Sequence, residues 1–117
     1  MILHSFDGRV VAGLHTIAVT GALEPITTRT AAFKKLTLIP GKAVANGLLT
    51  PNDHDIYVGL KAVDANGDPL NVTAEKRAPG DVDYPSLLDA PTGLQIPLAD
   101  VLVSGTAGDG VFFRYIA

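Results

Sequence analysis

Apolar residues along the chain recur at every second position, in short runs separated by glycine, proline and asparagine. In the run from 56 to 63, for example, Ile56, Val58 and Leu60 fall on one face of an extended strand. A period of two is typical of half-buried strands, and the abundant Val, Ile and Thr favour the same conformation. The pattern predicts these short strands: Val10–Thr20, Phe33–Ile39, Ile56–Val63, Leu70–Thr73, Leu94–Leu98, Asp100–Ser104 and Val111–Ile116.

Glycine and proline, with 12 and 8 copies, punctuate the chain at short intervals and disfavour long helices. Asn66-Gly67 lies between two predicted strands and predicts a tight hairpin turn, because both residues tolerate positive φ. Gly105–Gly110 is predicted to be a longer hairpin loop that joins the last two strands. Asn46-Gly47 and Pro51–Asp53 are predicted to be turns within one long connection.

About seven short strands with frequent turns predict an all-β fold, either an antiparallel β-sandwich or a jelly-roll-like small barrel. The alternatives are an α+β fold and a helical domain, but the two helical windows, Ala31–Lys35 and Tyr84–Ala90, are short. The 117 residues suit one domain. We expect an N-terminal arm over residues 1–8 and a single β-sandwich domain over residues 9–117.

Composition excludes several classes of protein. The chain has no cysteine, which excludes disulfide scaffolds, cysteine-based zinc sites and thiol catalysis. A net charge of −3 argues against a protein that coats nucleic acid. Charged residues make up only 18%, which indicates that a partner covers part of the surface. No apolar run is long enough to span a membrane, and the first residues lack the basic stretch of a secretory signal.

Motifs for catalysis or metal binding are weak. His54 stands among carboxylates in Asn52–Asp55, but neighbours on a strand point to opposite faces, so a solvated loop is favoured. Asp64–Asp68 resembles the start of a calcium loop, with Glu75 in the twelfth place. Pro69 replaces the glycine required in the sixth place, so a plain hairpin turn is favoured.

Other motifs have equally ordinary interpretations. Gly105–Gly110 leads into a strand rather than a helix, unlike a phosphate-binding loop. Ser104 lacks the strand–turn–helix context of a nucleophile elbow. The basic doublets Lys34-Lys35 and Lys76-Arg77 are predicted to be solvated strand ends or ion pairs with a partner subunit. We therefore expect no enzyme activity, no cofactor and no metal.

Three segments share a pattern of strands and turns. Phe33–Ile39 combines basic residues with alternating leucines, Ile56–Gly59 is a short strand ending in glycine, and Val101–Tyr115 contains a glycine-rich turn. Ile17–Gly21 adds an opening strand. From Ile17 onward the chain resembles small β-sandwich virion proteins of tailed bacteriophages, of the head decoration (cement) type. Lys76–Pro91 departs from that pattern, because it is longer and richer in proline.

The resemblance implies a non-enzymatic capsid decoration protein that bridges and stabilises subunits of the major capsid protein. It implies a homo-oligomer, with a trimer favoured, made in the host cytoplasm and located on the capsid surface of the virion, with no nucleic acid or membrane as partner. The alternatives are a minor tail or head-fibre component and a carbohydrate-binding β-sandwich module. Contacts with the partner are expected at apolar residues of the arm and of the 78–91 loop: Ile2, Leu3, Phe6, Tyr84, Leu87 and Leu88.

Overall fold

The structure, a computed structural model of the chain, describes residues 10–81 and 94–116 and confirms the all-β class. The predicted arm, residues 1–8, lies outside the described residues. The strands are β1 (Val10–Thr16), β2 (Glu24–Pro25), β3 (Ala32–Phe33), β4 (Lys35–Pro40), β5 (Ala43–Ala45), β6 (Leu48–Thr50), β7 (Ile56–Val63), β8 (Pro69–Asn71), β9 (Glu75–Arg77), β10 (Ile96–Pro97), β11 (Val101–Ser104) and β12 (Gly110–Ile116). A 3₁₀ turn spans Leu98–Asp100.

One sheet is antiparallel, with the strand order β1-β12-β4. Its residues alternate between two faces, because successive side chains of a strand point in opposite directions. Val111, Phe113 and Tyr115 of β12 are buried on the inward face. On the outward face Phe112 pairs with Leu14 of β1 on one side and Ile39 of β4 on the other.

The other large sheet has the order β2-β11-β7-β8, and β9 also pairs with β7. Val58 of β7 lies opposite Val103 of β11, and both side chains are fully buried. Inward side chains of the two sheets join Phe33 of the small β3–β10 pair in one core cluster. Antiparallel sheets that share one core in this way form a small β-sandwich.

Gly59 of β7 is required by a close approach of two backbone segments. A Cβ at this position would lie 2.1 Å from the carbonyl oxygen of Val72 and 2.9 Å from the Cα of Thr73. The crossing segment is also hydrogen bonded to β7, since Ala74 N donates to Val58 O at 3.0 Å. The glycine that ends the motif Ile56–Gly59 therefore allows the chain to pass over the sheet.

The predicted hairpin at Gly105–Gly110 is wrong. The strands on either side, β11 and β12, belong to different sheets and do not pair with each other. The loop instead carries the chain from one sheet to the other. Local turn chemistry resembles that of a hairpin, whereas the choice of pairing partner depends on distant strands.

Asn46-Gly47 is a turn, as predicted, but the segment that contains it forms two strands rather than a long connection. β5 and β6 form a two-residue hairpin around it, with φ of +54° at Asn46 and +78° at Gly47. Positive φ at both central residues is the geometry of the tight hairpin turn for which Asn-Gly is favoured. At Asn66-Gly67 the predicted hairpin is present, but only Gly67 has a positive φ.

The helical window Ala31–Lys35 is wrong, because the chain there enters β3 and then β4. The other helical window, Tyr84–Ala90, lies outside the described residues. In the Lys76-Arg77 doublet Lys76 is exposed, as predicted, but Arg77 is 2% exposed and its Nη2 donates to Glu75 Oε1 at 2.7 Å. Burial of this guanidinium is compatible with its charge because the neighbouring carboxylate pairs with it.

Candidate functional site

The loop that passes between the sheets, Gly105–Asp109, is hydrogen bonded along its length and is called the crossover loop below. On one side it contacts the segment after β1: Ile17 N donates to Asp109 O at 2.8 Å, and Gly108 N donates to Ile17 O at 3.0 Å. Ala107 N donates to Thr20 Oγ1 at 3.0 Å. In an unsupported loop these backbone groups would bond to water, whereas here the protein itself supplies their partners. The crossover loop is therefore held in one position.

Two buried polar side chains connect the crossover loop to the segment before β7. The amide of Asn52 makes two hydrogen bonds with Gly110, from Nδ2 to Gly110 O at 2.8 Å and from Gly110 N to Oδ1 at 2.9 Å. Asp109 accepts from the backbone N of Asp53 at 3.1 Å and of His54 at 3.0 Å. Asn52 and Asp109 are 4% and 2% exposed, so their polar groups depend on these partners.

His54 is oriented by the same buried carboxylate. Its Nδ1 lies 3.2 Å from Asp109 Oδ2, and its side chain is 60% exposed. Because a carboxylate oxygen accepts, this bond assigns the ring proton of neutral His54 to Nδ1. Nε2 on the far side of the ring then carries the lone pair that faces an incoming donor.

Beside His54 a surface groove of about 580 Å³ opens over one end of β7 and β11, and we call it the His54 groove. Tyr57 points outward from β7 and is 39% exposed. Opposite it on β11, Ser104 places Oγ 3.2 Å from Thr73 Oγ1. The residues that line the groove are Thr20, Gly21, Asp53, His54, Asp55, Tyr57, Pro79, Ser104, Gly105 and Thr106.

The charge of the groove is partly compensated at its edge. Lys42 Nζ contacts Asp53 Oδ2 at 2.7 Å. The hydrogen bond and the charge of Lys42 hold the pKa of Asp53 below its ordinary value. Asp55 is the second carboxylate in the lining. Among the described residues no three or more His, Asp or Glu side chains are grouped so that they could hold a metal ion.

Glu24 forms a separate polar cluster that supports the turn after β1. Its carboxylate accepts from Ala18 N at 3.0 Å and from Val19 N at 2.9 Å, and Oε1 lies 2.8 Å from His15 Nε2. Burial raises the pKa of Glu24, but the bonds from Val19, Ala18 and His15 outweigh it and the pKa falls below its ordinary value. The carboxylate is already satisfied by the protein's own donors, so this cluster is structural.

The outward face of the β1-β12-β4 sheet carries a row of apolar residues. Leu14, Phe112 and Ile39 lie side by side in register, and Leu14 is 38% exposed. Val44 and Leu49 of the β5–β6 hairpin extend the row and, with Phe112 and Ile39, line a half-open pocket of about 160 Å³. Val44 is 52% exposed. We call these five residues the apolar face.

The six residues predicted to contact a partner, Ile2, Leu3, Phe6, Tyr84, Leu87 and Leu88, all lie outside the described residues. Asp64 belongs to a hairpin turn, as favoured from the sequence: its Oδ1 accepts from Asn66 N at 2.8 Å and from Asp68 N at 3.0 Å. Ser104 is hydrogen bonded to Thr73 and, within the part of the chain that the structure describes, not to His54. Sequence reasoning missed Asp109 as the partner of His54, since 55 positions separate them.

Comparison with family models, curated proteins and solved structures finds no match for the chain. Within residues 10–81 and 94–116, no helix has the length and apolar character needed to cross a membrane. The geometry of the His54 groove and of the apolar face therefore carries the functional argument.

Proposed function

We propose that the chain is a non-enzymatic virion structural protein of a tailed bacteriophage, a capsid decoration protein that binds the major capsid protein on the particle surface. The observation that carries this proposal is the apolar face. Leu14 and Val44 remain exposed there beside the half-buried Phe112, and exposed apolar side chains on the outer face of a sheet are typical of a surface that another protein covers. The resemblance of the strand and turn motifs to decoration proteins points to the same role.

The architecture is compatible with a structural role. Both large sheets are antiparallel and share one core, and the crossover loop between them is hydrogen bonded on both sides. A rigid scaffold loses little conformational entropy when it binds, which favours a protein that has to bridge neighbouring subunits.

Charge around the apolar face indicates what kind of surface it fits. Lys35 lies at the end of the same outward face, opposite Ile116, and Lys34 precedes it in an exposed position. A matching partner surface is apolar at its centre and acidic at that edge. We assign this partner to a major capsid subunit, and we propose that the decoration protein itself assembles as a homo-oligomer, with a trimer favoured.

The first experiment counts copies of the chain in purified particles by quantitative mass spectrometry. A copy number comparable with that of the major capsid protein is expected for a capsid-covering protein. A small fraction of that number would assign the chain to the tail or head fibres. Absence from the particle would refute the virion role altogether.

The second experiment tests the apolar face with two matched substitutions. Val44→Asp introduces a charge on the face, whereas Val63→Asp introduces the same charge at an exposed position, 65% accessible, at the end of β7. Burying a valine contributes about 1.5–3 kcal/mol, so Val44→Asp should weaken particle binding by about 10- to 100-fold. Equal binding by the two variants, with unchanged melting temperatures, would exclude the face as the contact.

A further inference from the structure

The His54 groove is a second surface with its own chemistry, separate from the apolar face. Its floor includes Gly105 and Thr106 of the crossover loop, which is fixed by the hydrogen bonds from Gly21, Ala107 and Gly108. A groove of about 580 Å³ lies within the range of about 300–1,000 Å³ typical of small-ligand sites. Because the floor is held in place, the groove is formed before any ligand arrives, which lowers the entropic cost of binding.

We propose that the His54 groove binds a neutral saccharide. Tyr57 supplies an outward aromatic ring, 39% exposed, on which the C–H face of a sugar ring can pack. His54 supplies Nε2, which in the neutral ring accepts from a sugar hydroxyl because Nδ1 is the donor to Asp109. Asp53 and Asp55 supply further acceptors beside it.

The lining argues against an anionic ligand. Among the described residues that line it there are two carboxylates and no Lys or Arg. A phosphate or a nucleotide would meet like charge there, and Lys42 at the edge of the groove is already paired with Asp53 at 2.7 Å. A cationic ligand would find Asp53 already paired with Lys42 at 2.7 Å, which leaves Asp55 as its carboxylate partner, and lysine methyl ester therefore serves as a probe in the test below.

A neutral polyol fits the hydrogen-bonding groups of the lining better than a charged ligand does. Sugar hydroxyls donate hydrogen bonds to carboxylates and to imidazole, and they accept from hydroxyls such as those of Thr106 and Ser104. The groove is open to water on one side, so each of these bonds replaces a bond to water and contributes little net affinity. We therefore expect dissociation constants on the order of 0.1–10 mM for a disaccharide.

The test is an NMR titration of the full chain, uniformly labelled with ¹⁵N, with cellobiose, maltose, lactose and N,N′-diacetylchitobiose, each raised to about 50 mM. Saturable shifts that centre on the groove, at His54, Tyr57 and Thr106, are expected for at least one of these sugars. Bulk solvent effects of the sugars are removed by comparing each titration with glycerol at equal mass concentration. Inorganic phosphate and lysine methyl ester serve as the charged probes.

Variants separate a sugar site from an unspecific surface effect. Tyr57→Ala should weaken binding about tenfold or more, whereas Tyr57→Phe keeps the ring and should stay within about threefold of the parent. Lys61→Ala is the matched control, because Lys61 is exposed on the same outward face of β7 and outside the groove. Spectra of the free variants confirm that each one is folded.

Two results would overturn the proposal. One is the absence of saturable shifts in the groove with all four sugars. The other is binding of lysine methyl ester or phosphate there in preference to them. Neither result depends on whether the chain is found in particles, so the virion role and the saccharide site can fail separately.

Discussion

Replacing Asn52 by alanine tests how the two halves of the sandwich are held in register. Asn52 lies just before β7, whereas Gly110 begins β12 in the other sheet. Its side chain makes a two-bond bridge to the backbone of Gly110, at 2.8 and 2.9 Å. Alanine removes both bonds and adds no new group to the 4% exposed site.

The two backbone groups of Gly110 respond differently to this change. Gly110 O keeps a second donor, Gly41 N at 3.0 Å, so its loss is limited. Gly110 N has Asn52 Oδ1 as its described acceptor and would be left buried without one. A lost hydrogen bond costs about 0.5–1.5 kcal/mol and an orphaned buried donor about 1–3 kcal/mol, which together give about 2–4 kcal/mol.

The assay is urea unfolding followed by circular dichroism, with the melting temperature as a second measure. A loss of about 2–4 kcal/mol should lower the melting temperature of a chain of this size by about 10 °C. Asn71→Ala is the matched control, because Asn71 is exposed on β8 and the change there should cost less than about 0.5 kcal/mol. Equal stability of the two variants would show that water replaces the Asn52 amide at no cost. Asn52 would then not be what holds the two sheets in register.

Three further predictions concern other parts of the chain. Gly59→Ala should lower the free energy of unfolding by at least about 2 kcal/mol, because its Cβ would overlap Val72 O; unchanged urea unfolding would mean that the crossing segment moves aside. The lowered pKa of Glu24 stabilises the fold fully above its ordinary value of 4.5, and this contribution is lost as pH falls through the lowered pKa. Glu24→Gln should therefore be less stable at pH 7 and lose less stability between about pH 5 and pH 3 than the parent; parallel stability profiles would contradict this. Deleting residues 1–8 should weaken particle binding and leave the melting temperature nearly unchanged, and equal particle occupancy would exclude the arm as an anchor.

Much of the secondary structure follows from local pattern. Every predicted strand has a counterpart in the structure, and Ile56–Val63 matches β7 at both ends. The strands that the pattern missed are short ones: β2, β3, β5, β6 and β9. Strands of two or three residues are too short to show a period of two, and their pairing with distant neighbours creates them.

The candidate site could not be assembled from the sequence, because its members are far apart along the chain. The sequence favours a solvated loop over Asn52–Asp55, but Asn52 is buried there and the carboxylate that orients His54 is Asp109. A hairpin loop at 105–110 would join two paired strands, so the sequence gives no reason to expect a contact between Asp109 and His54. Only the position of the crossover loop between the sheets brings Asp109 to the segment before β7.

The buried side chains of Asn52 and Asp109 explain why the crossover loop has one position between the sheets. An apolar core is stabilised by burial that has little directional preference, so two packed sheets can shift slightly at modest cost. Hydrogen bonds at Asn52 and Asp109 are directional, and a shift of either sheet would leave buried donors without acceptors. Burying these polar side chains costs free energy, which their hydrogen bonds offset. The same bonds fix the position of the segment before β7 relative to β12. His54 of the groove is bonded directly to Asp109, and Phe112 of the apolar face follows Gly110 on β12, so these hydrogen bonds help to fix the geometry of both surfaces.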